Sequence, residues 1–242
     1  MIKNKLIILI LISLFSSIAL AQNMVFEKDK RHPQDIKRDK TSKSAAVMNF
    51  VNLSKGMVVA DVLGGGGFYS ELISQQVGPE GKVYLQNNKA WLPFSEKELT
   101  ARLKDNRLPN VIRHDKESEA LEFNDNSLDA IFLVLGFHDL FYVDRGWNID
   151  PEVFLTQLKK ALKPDGKLLI IDHSAIDGSK TKHAQKLHRI DKQFVIRNLT
   201  TMGFKLIKQS NMLANKNDTR LTTPFIPKIR RKTDRFVLLF KK

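Results

Sequence analysis

The chain has 242 residues, of which 42% are hydrophobic and 27% charged, and it carries a net charge of +14. That composition excludes a disordered or fibrous protein and allows one sizeable globular domain. Cysteine is absent, which excludes disulfides, thiolate metal sites and cysteine nucleophiles.

The first segment predicts export. MIKNK is a basic lead, LIILILISLFSSI an apolar run, and Ala19-Leu20-Ala21 offers small residues to a signal peptidase. The run falls short of the roughly 20 residues of a spanning helix. Residues 1–21 are therefore expected to be a signal peptide cut after Ala21, with the mature protein periplasmic or secreted. No cysteine follows the apolar run, so a lipoprotein is excluded. Residues 22–43 are polar and charge-dense and predict a loosely packed arm.

Residues 44–242 form the expected domain. SAAVMNFVNL (44–53) has helical spacing. MVVADVL predicts a buried strand, FYSELISQQV a helix stopped by Gly78, and GKVYLQN a second strand. SEKELTARLKD predicts a helix opened by a capping box of Ser95 and Glu98. NVIRH and SLDAIFLVLGF predict strands. DPEVFLTQLKKAL predicts a helix with Asp150 as N-cap and Pro151 at its first position. PDG (164–166) reads as a turn before the strand KLLIIDHS. HRIDKQFVIRNLTTMGF predicts a helix ended by Gly203. KLIKQSNML and DRFVLLFKK are strands separated by a polar loop, 214–233. The alternation predicts an α/β, doubly wound, Rossmann-like sheet of seven mostly parallel strands with helices on both faces. The last two strands lack an intervening helix and predict an antiparallel edge.

The chemistry concentrates at VVADVLGGGGFYSEL (58–72), where four glycines join a strand to a helix. Such a loop brings backbone close to a ligand at the carboxyl ends of the strands. No lysine follows the glycines, so a P-loop is excluded. A dinucleotide fingerprint starting at Gly64 needs glycine at 69, where Tyr69 stands. Asp61, Gly65 and Gly67 instead fit Asp-x-Gly-x-Gly-x-Gly, with Leu63 in place of the first glycine. ALEFNDNSLDAIFLVLGFHDL and LKKALKPDGKLLIID follow in the order that pattern requires. On these residues the chain resembles the class I S-adenosylmethionine-dependent methyltransferases. RDK (38–40), HRID (188–191) and KTDRFVLLF (232–240) resemble, more narrowly, a group of predicted exported bacterial methyltransferases.

The resemblance implies S-adenosylmethionine as cofactor, held by Asp61, Gly65, Gly67 and Tyr69. It implies ribose binding at Asn87, where the family has an acid, and adenine contacts at Glu117 and Ser118. An acid restored at position 87 would then tighten binding. Gly64 and Gly66 look incidental to the motif. The residues ending the fourth and fifth strands, His138-Asp139 and Asp172-His173, are candidate catalytic groups, with His138 as base and Asp139 as its orienter. His188 and Asp191, opening a later helix, and Arg230 in the polar loop are candidate substrate contacts; Tyr142 and Trp147 are candidate walls. No tight metal-ligand spacing is present, so no metal is assigned.

The expected activity is methyl transfer to a small molecule. The alternatives are a His/Asp-site enzyme of another class, metal-dependent or not, and a binding protein that kept the fold. The basic residues are dispersed and no nucleic-acid motif appears, so no nucleic-acid partner is expected. The charge suggests at most weak contact with an anionic membrane surface.

Overall fold

The computed structural model describes residues 31–242; the expected signal peptide and the start of the arm lie outside the described residues. Seven strands form one sheet: β1 (Val58–Val62), β2 (Lys82–Gln86), β3 (Val111–His114), β4 (Leu128–Val134), β7 (Leu162–His173), β8 (Lys205–Ser210) and β9 (Arg235–Lys241). Their order is β3-β2-β1-β4-β7-β9-β8. The first five run parallel, and β9 pairs antiparallel with both β7 and β8. A two-stranded ribbon, β5 (Val143–Asp144) with β6 (Trp147–Asn148), lies in the connection after β4.

The helices are α1 (Pro33–Ser42), α2 (Ser44–Val51), α3 (Phe68–Val77), α4 (Leu92–Leu103), α5 (Pro151–Ala161), α6 (Ala184–Leu187) and α7 (Lys192–Thr201). Strand alternation divides the core between the two faces of the sheet. Val59, Ala130, Phe132, Leu169, Ile171 and Val237 pack with Val47 and Met48 of α2 and Leu72 and Ile73 of α3. Ala60, Ile131, Leu133, Leu168, Ile170 and Leu238 pack with Phe154 and Leu158 of α5 and Val195 and Leu199 of α7. Apolar side chains on both faces are what a covered parallel sheet requires. Among the described residues, no helix is long and apolar enough to cross a membrane.

Several local expectations change. The polar lead-in is not loose: α1 buries Asp35 and Ser42, and the preceding Arg31 is also buried. Its polarity hides this, because it docks through ion pairs rather than an apolar stripe. Asp35 meets Arg102 at 2.8 Å, and Arg102 in turn pairs with the buried Glu71. Helix α4 begins at Leu92, with Pro93 in its first turn, so Ser95 is inside it; its hydroxyl donates back to the Trp91 carbonyl rather than capping. The PDG segment lies within β7 as an irregularity, with a register shift against β4 and Asp165 at φ 69°. The Asp150 cap is as expected, accepting from the amides of Glu152 and Val153.

Candidate active site

The carboxyl ends of β1, β4 and β7 are level, with Val62 beside Leu133 and Val134 beside Ile171. A cavity of about 820 Å³ opens over them. The glycine loop forms one wall through Leu63, Gly64, Gly65 and Gly66, and His138, Asp139, His173 and His188 form another. Trp91, Phe94, Glu98, Tyr142, Trp147, Pro224 and Phe225 complete it, with Arg38 of α1 at the loop side.

The loop is built more tightly than its motif suggests. Gly65 has φ +58° and Gly67 φ +77°, backbone that glycine adopts without strain. Gly64 and Gly66 are not incidental. A Cβ on Gly64 would lie 2.6 Å from Leu85 Cδ1 and 2.9 Å from the Asp61 carboxyl carbon. One on Gly66 would lie 2.6 Å from Glu98 Cβ. The sequence pattern misses both because the obstructing atoms come from β1, β2 and α4.

Asp61 is buried beneath the loop and accepts the Ser70 hydroxyl at 2.6 Å. Burial pushes its carboxyl up to about 6, with the Ser70 hydrogen bond pulling the other way. Gly67 does not line the cavity. Tyr69 points into the core against Phe132, and burial pushes its phenol up to about 12.

The expected nucleoside contacts lie elsewhere. Asn87 is fully buried and clamps the loop: its Oδ1 accepts from the Gly65 amide at 2.8 Å and its Nδ2 donates to the Gly65 carbonyl at 3.0 Å. Both halves of the amide are used, so it does not face the cavity. Its neighbour Gln86 accepts the Leu63 amide at 3.0 Å. Two amide side chains therefore hold the loop where the family pattern has a carboxylate. Glu117 accepts the Lys89 amide, and Ser118 is buried with its carbonyl taking a bond from Gln157; neither lines the cavity.

The His/Asp groups do come together. Asp172 is fully buried and takes the His138 amide on Oδ2 at 2.8 Å, the His138 ring on Oδ1 at 2.7 Å, and the His173 amide at 2.7 Å. The residue that orients His138 is thus Asp172. Asp139 lies on the other side of the ring, with Oδ1 3.1 Å from His138 Nε2 and 3.7 Å from His188 Nδ1. Burial disfavours the His138 cation, but Asp172 and Asp139 outweigh it and raise the imidazole to about 10. Asp139 is half-buried, and although that desolvation opposes its charge, His138 and His188 hold its carboxyl well below the usual range. His138 is consequently a charged donor in this arrangement rather than a free base. His173 donates to or accepts from Thr233 Oγ1 at 2.7 Å, and burial together with His138 pushes it far down, so it is neutral.

Of the expected substrate contacts, only His188 reaches the cavity. It ends the short helix α6 at φ 49° instead of opening α7. Asp191 is the buried N-cap of α7 and accepts from the amides of Gln193 and Gly178. Arg230 is exposed and does not line the cavity. The sequence assigns none of Trp91, Glu98 and Arg38 to the site. Trp91 stands five residues beyond the end of β2; Arg38 and Glu98 lie in polar segments that resemble solvated surface.

Comparison with known proteins places the chain among methyltransferases of this fold. Residues 35–208 match the ubiE/COQ5 methyltransferase family. The ubiquinone/menaquinone biosynthesis C-methyltransferase UbiE of Idiomarina loihiensis is 31% identical over 121 residues, covering 50% of this chain and 44% of that protein. The UbiE of Shewanella frigidimarina is 27% identical over 158 residues, covering 64% and 56%. The chain thus spans about half the length of the curated relatives it matches. Among solved structures, a SAM-dependent methyltransferase from Aquifex aeolicus superposes with TM-score 0.59 at 22% identity, over 84% of this chain and 97% of that one. The [4+2]-cyclase SpnF superposes with TM-score 0.59 at 12% identity, over 84% and 80%. These likenesses share the fold, and the match across most of the domain is decisive: the chain belongs to the ubiE/COQ5 methyltransferase family.

Proposed function

We propose that the protein is an S-adenosylmethionine-dependent methyltransferase acting on a small molecule. One observation carries this reading: the glycine loop and the His138–Asp139–His188 wall open into the same cavity. A cofactor on the loop and an acceptor on the opposite wall would be held face to face, as methyl transfer requires.

The residues present fit the cofactor at its amino-acid end. Gly65 is required by its backbone, φ +58°, rather than by crowding, since a Cβ there would meet Trp91 Nε1 only at 3.4 Å. Arg38 makes no ion pair among the described residues and suits a carboxylate, while Glu98 suits an ammonium group. Trp91 and Phe94, 39% and 76% exposed, offer apolar faces to a nucleoside. When bound, the cofactor supplies an electrophilic methyl group. The protein's part is to place the acceptor atom against the His138–Asp139–His188 wall, where Asp172 holds the His138 ring in position. Phe225 and Pro224 screen the cavity from the side of the polar loop.

Calorimetric titration of the mature protein with S-adenosylmethionine and S-adenosylhomocysteine tests the reading. Binding should occur with both and vanish in Gly65→Val, where a branched side chain meets positive φ. No heat up to millimolar ligand would overturn it.

We also propose that the protein works outside the cytoplasm, as the narrower resemblance to exported methyltransferases suggests. The support is the basic lead, apolar run and small-residue site in residues 1–21. A reporter enzyme active only after export, fused behind Gln22, should be active; an expressed but inactive fusion would reject this.

A further inference from the structure

We propose that His138, Asp139 and His188 form a binding site for one first-row divalent metal ion on their wall of the cavity. The donor atoms are His138 Nε2, Asp139 Oδ1 and His188 Nδ1, all within 4.8 Å of one another. Two imidazoles and one carboxylate are a set that suits iron, zinc, cobalt or manganese.

The spacing agrees with a shared ion. Bonds of about 2.0–2.2 Å from nitrogen and oxygen set neighbouring donors about 3–3.5 Å apart in tetrahedral or octahedral geometry. Of the two distances through Asp139 Oδ1, 3.1 Å falls within that span and 3.7 Å lies just beyond it. An ion entering between them would replace the proton on His138 Nε2, releasing it to solvent. Asp139 would change partner from imidazolium to metal with little movement.

The support behind the donors resembles that of a metal centre. A ligating histidine commonly gives its other ring N–H to a carboxylate, which fixes tautomer and orientation. His138 Nδ1 does this to Asp172 Oδ1 at 2.7 Å, and Asp172 is itself fixed by two backbone amides. His188 is fixed differently. Its backbone is left-handed at φ 49°, and its ring is packed between Tyr142 and Phe225, with ring centres 4.8 and 4.9 Å away.

Three protein donors leave positions open toward the cavity. An anionic oxygen, such as a phenolate or enolate, would fill one and be held as a nucleophile by the ion. This last step rests on the methyltransferase reading; the metal site itself does not.

The test uses the mature protein stripped with chelator and then titrated with Co²⁺ alone. Visible absorption reports ligation, and calorimetry reports stoichiometry. One ion per chain is expected, displaced by Zn²⁺. His188→Asn tolerates the left-handed backbone and keeps the fold; with Asp139→Asn it should weaken binding at least tenfold. Asp172→Asn should weaken it by about 10- to 100-fold through loss of orientation. The exposed His32→Ala should bind as wild type does. Absence of a ligation spectrum, or binding unchanged in both His188→Asn and Asp139→Asn, would overturn the site. S-adenosylhomocysteine titrated into the same samples separates the two proposals, since a cobalt spectrum without nucleoside binding rejects only the methyltransferase reading.

Discussion

Asp172 engages both the backbone and the ring of His138, through two oxygens at 2.8 and 2.7 Å. The pair joins the tips of β4 and β7, so one carboxylate fixes both the strand ends and the ring. Asp172→Ala would leave three buried donors unsatisfied, including the His173 amide. Each such loss costs roughly 1–3 kcal/mol. Urea denaturation should show a loss of several kcal/mol, and a variant as stable as wild type would remove the pair from its structural role.

Asn87→Asp reverses what sequence alone suggests. A carboxylate keeps the acceptor for the Gly65 amide but loses the Nδ2 donor and faces the Gly65 carbonyl at about the same 3.0 Å. The site is fully buried, so an unpaired charge there is unfavourable. The variant should lose roughly 1–3 kcal/mol of stability and bind S-adenosylhomocysteine no better than wild type. Tighter binding measured by calorimetry would mean that Asn87 leaves Gly65 to meet the ribose.

Asp61 makes stability depend on pH in an uncommon direction for a carboxylate. Its folded value, about 6, lies above the unfolded value of about 3.9. The folded state therefore binds the proton more firmly. That stabilisation is complete below about pH 4, declines as pH rises through about 6, and is absent above. Asp61→Asn keeps an acceptor for Ser70 but carries no charge. The gap between the two proteins should change by up to about 3 kcal/mol between pH 4 and 7, in favour of the variant at the higher pH. Parallel thermal denaturation curves across that range would refute the assignment.

Arg102 ties three elements together. Its Nε donates to the Gly66 carbonyl, and its Nη1 meets Asp35 of α1 and Glu71 of α3. Burial alone would disfavour the Glu71 charge, but Arg107, Arg102 and Arg31 hold its carboxyl below the usual range. Removing one partner from a buried cluster costs about 3–5 kcal/mol. Arg102→Leu should show that loss together with weaker cofactor binding, because the loop carbonyl loses its donor. Lowered stability with unchanged binding would mean that the loop holds its shape without Arg102.

The strands and the Asp150 cap were legible because they rest on local signals: apolar runs, a capping side chain and a proline in the first turn. The meeting of His138 with Asp172 was legible too, since adjacent strands bring their tips together. What the sequence concealed depends on distant partners. Asn87 looked like a weakened ribose ligand, and its clamp on Gly65 becomes visible only when β1 and β2 are side by side. Ser95 looked like a cap because the helix start at Leu92 is set by a preceding turn with no strong signal of its own. Helix α1 looked solvated because ion pairs, rather than apolar spacing, hold it down.

The position of β9 has a consequence for how the protein is made. It comes last of the strands in sequence yet lies between β7 and β8. A nascent chain that has already emerged through β8 still has two raw edges that cannot pair with each other as they do with β9. Thr233, the partner of the His173 ring, precedes that same strand. The His173 ring at the cavity therefore gains its Thr233 partner, and β7 and β8 their shared neighbour, only once synthesis has passed β9.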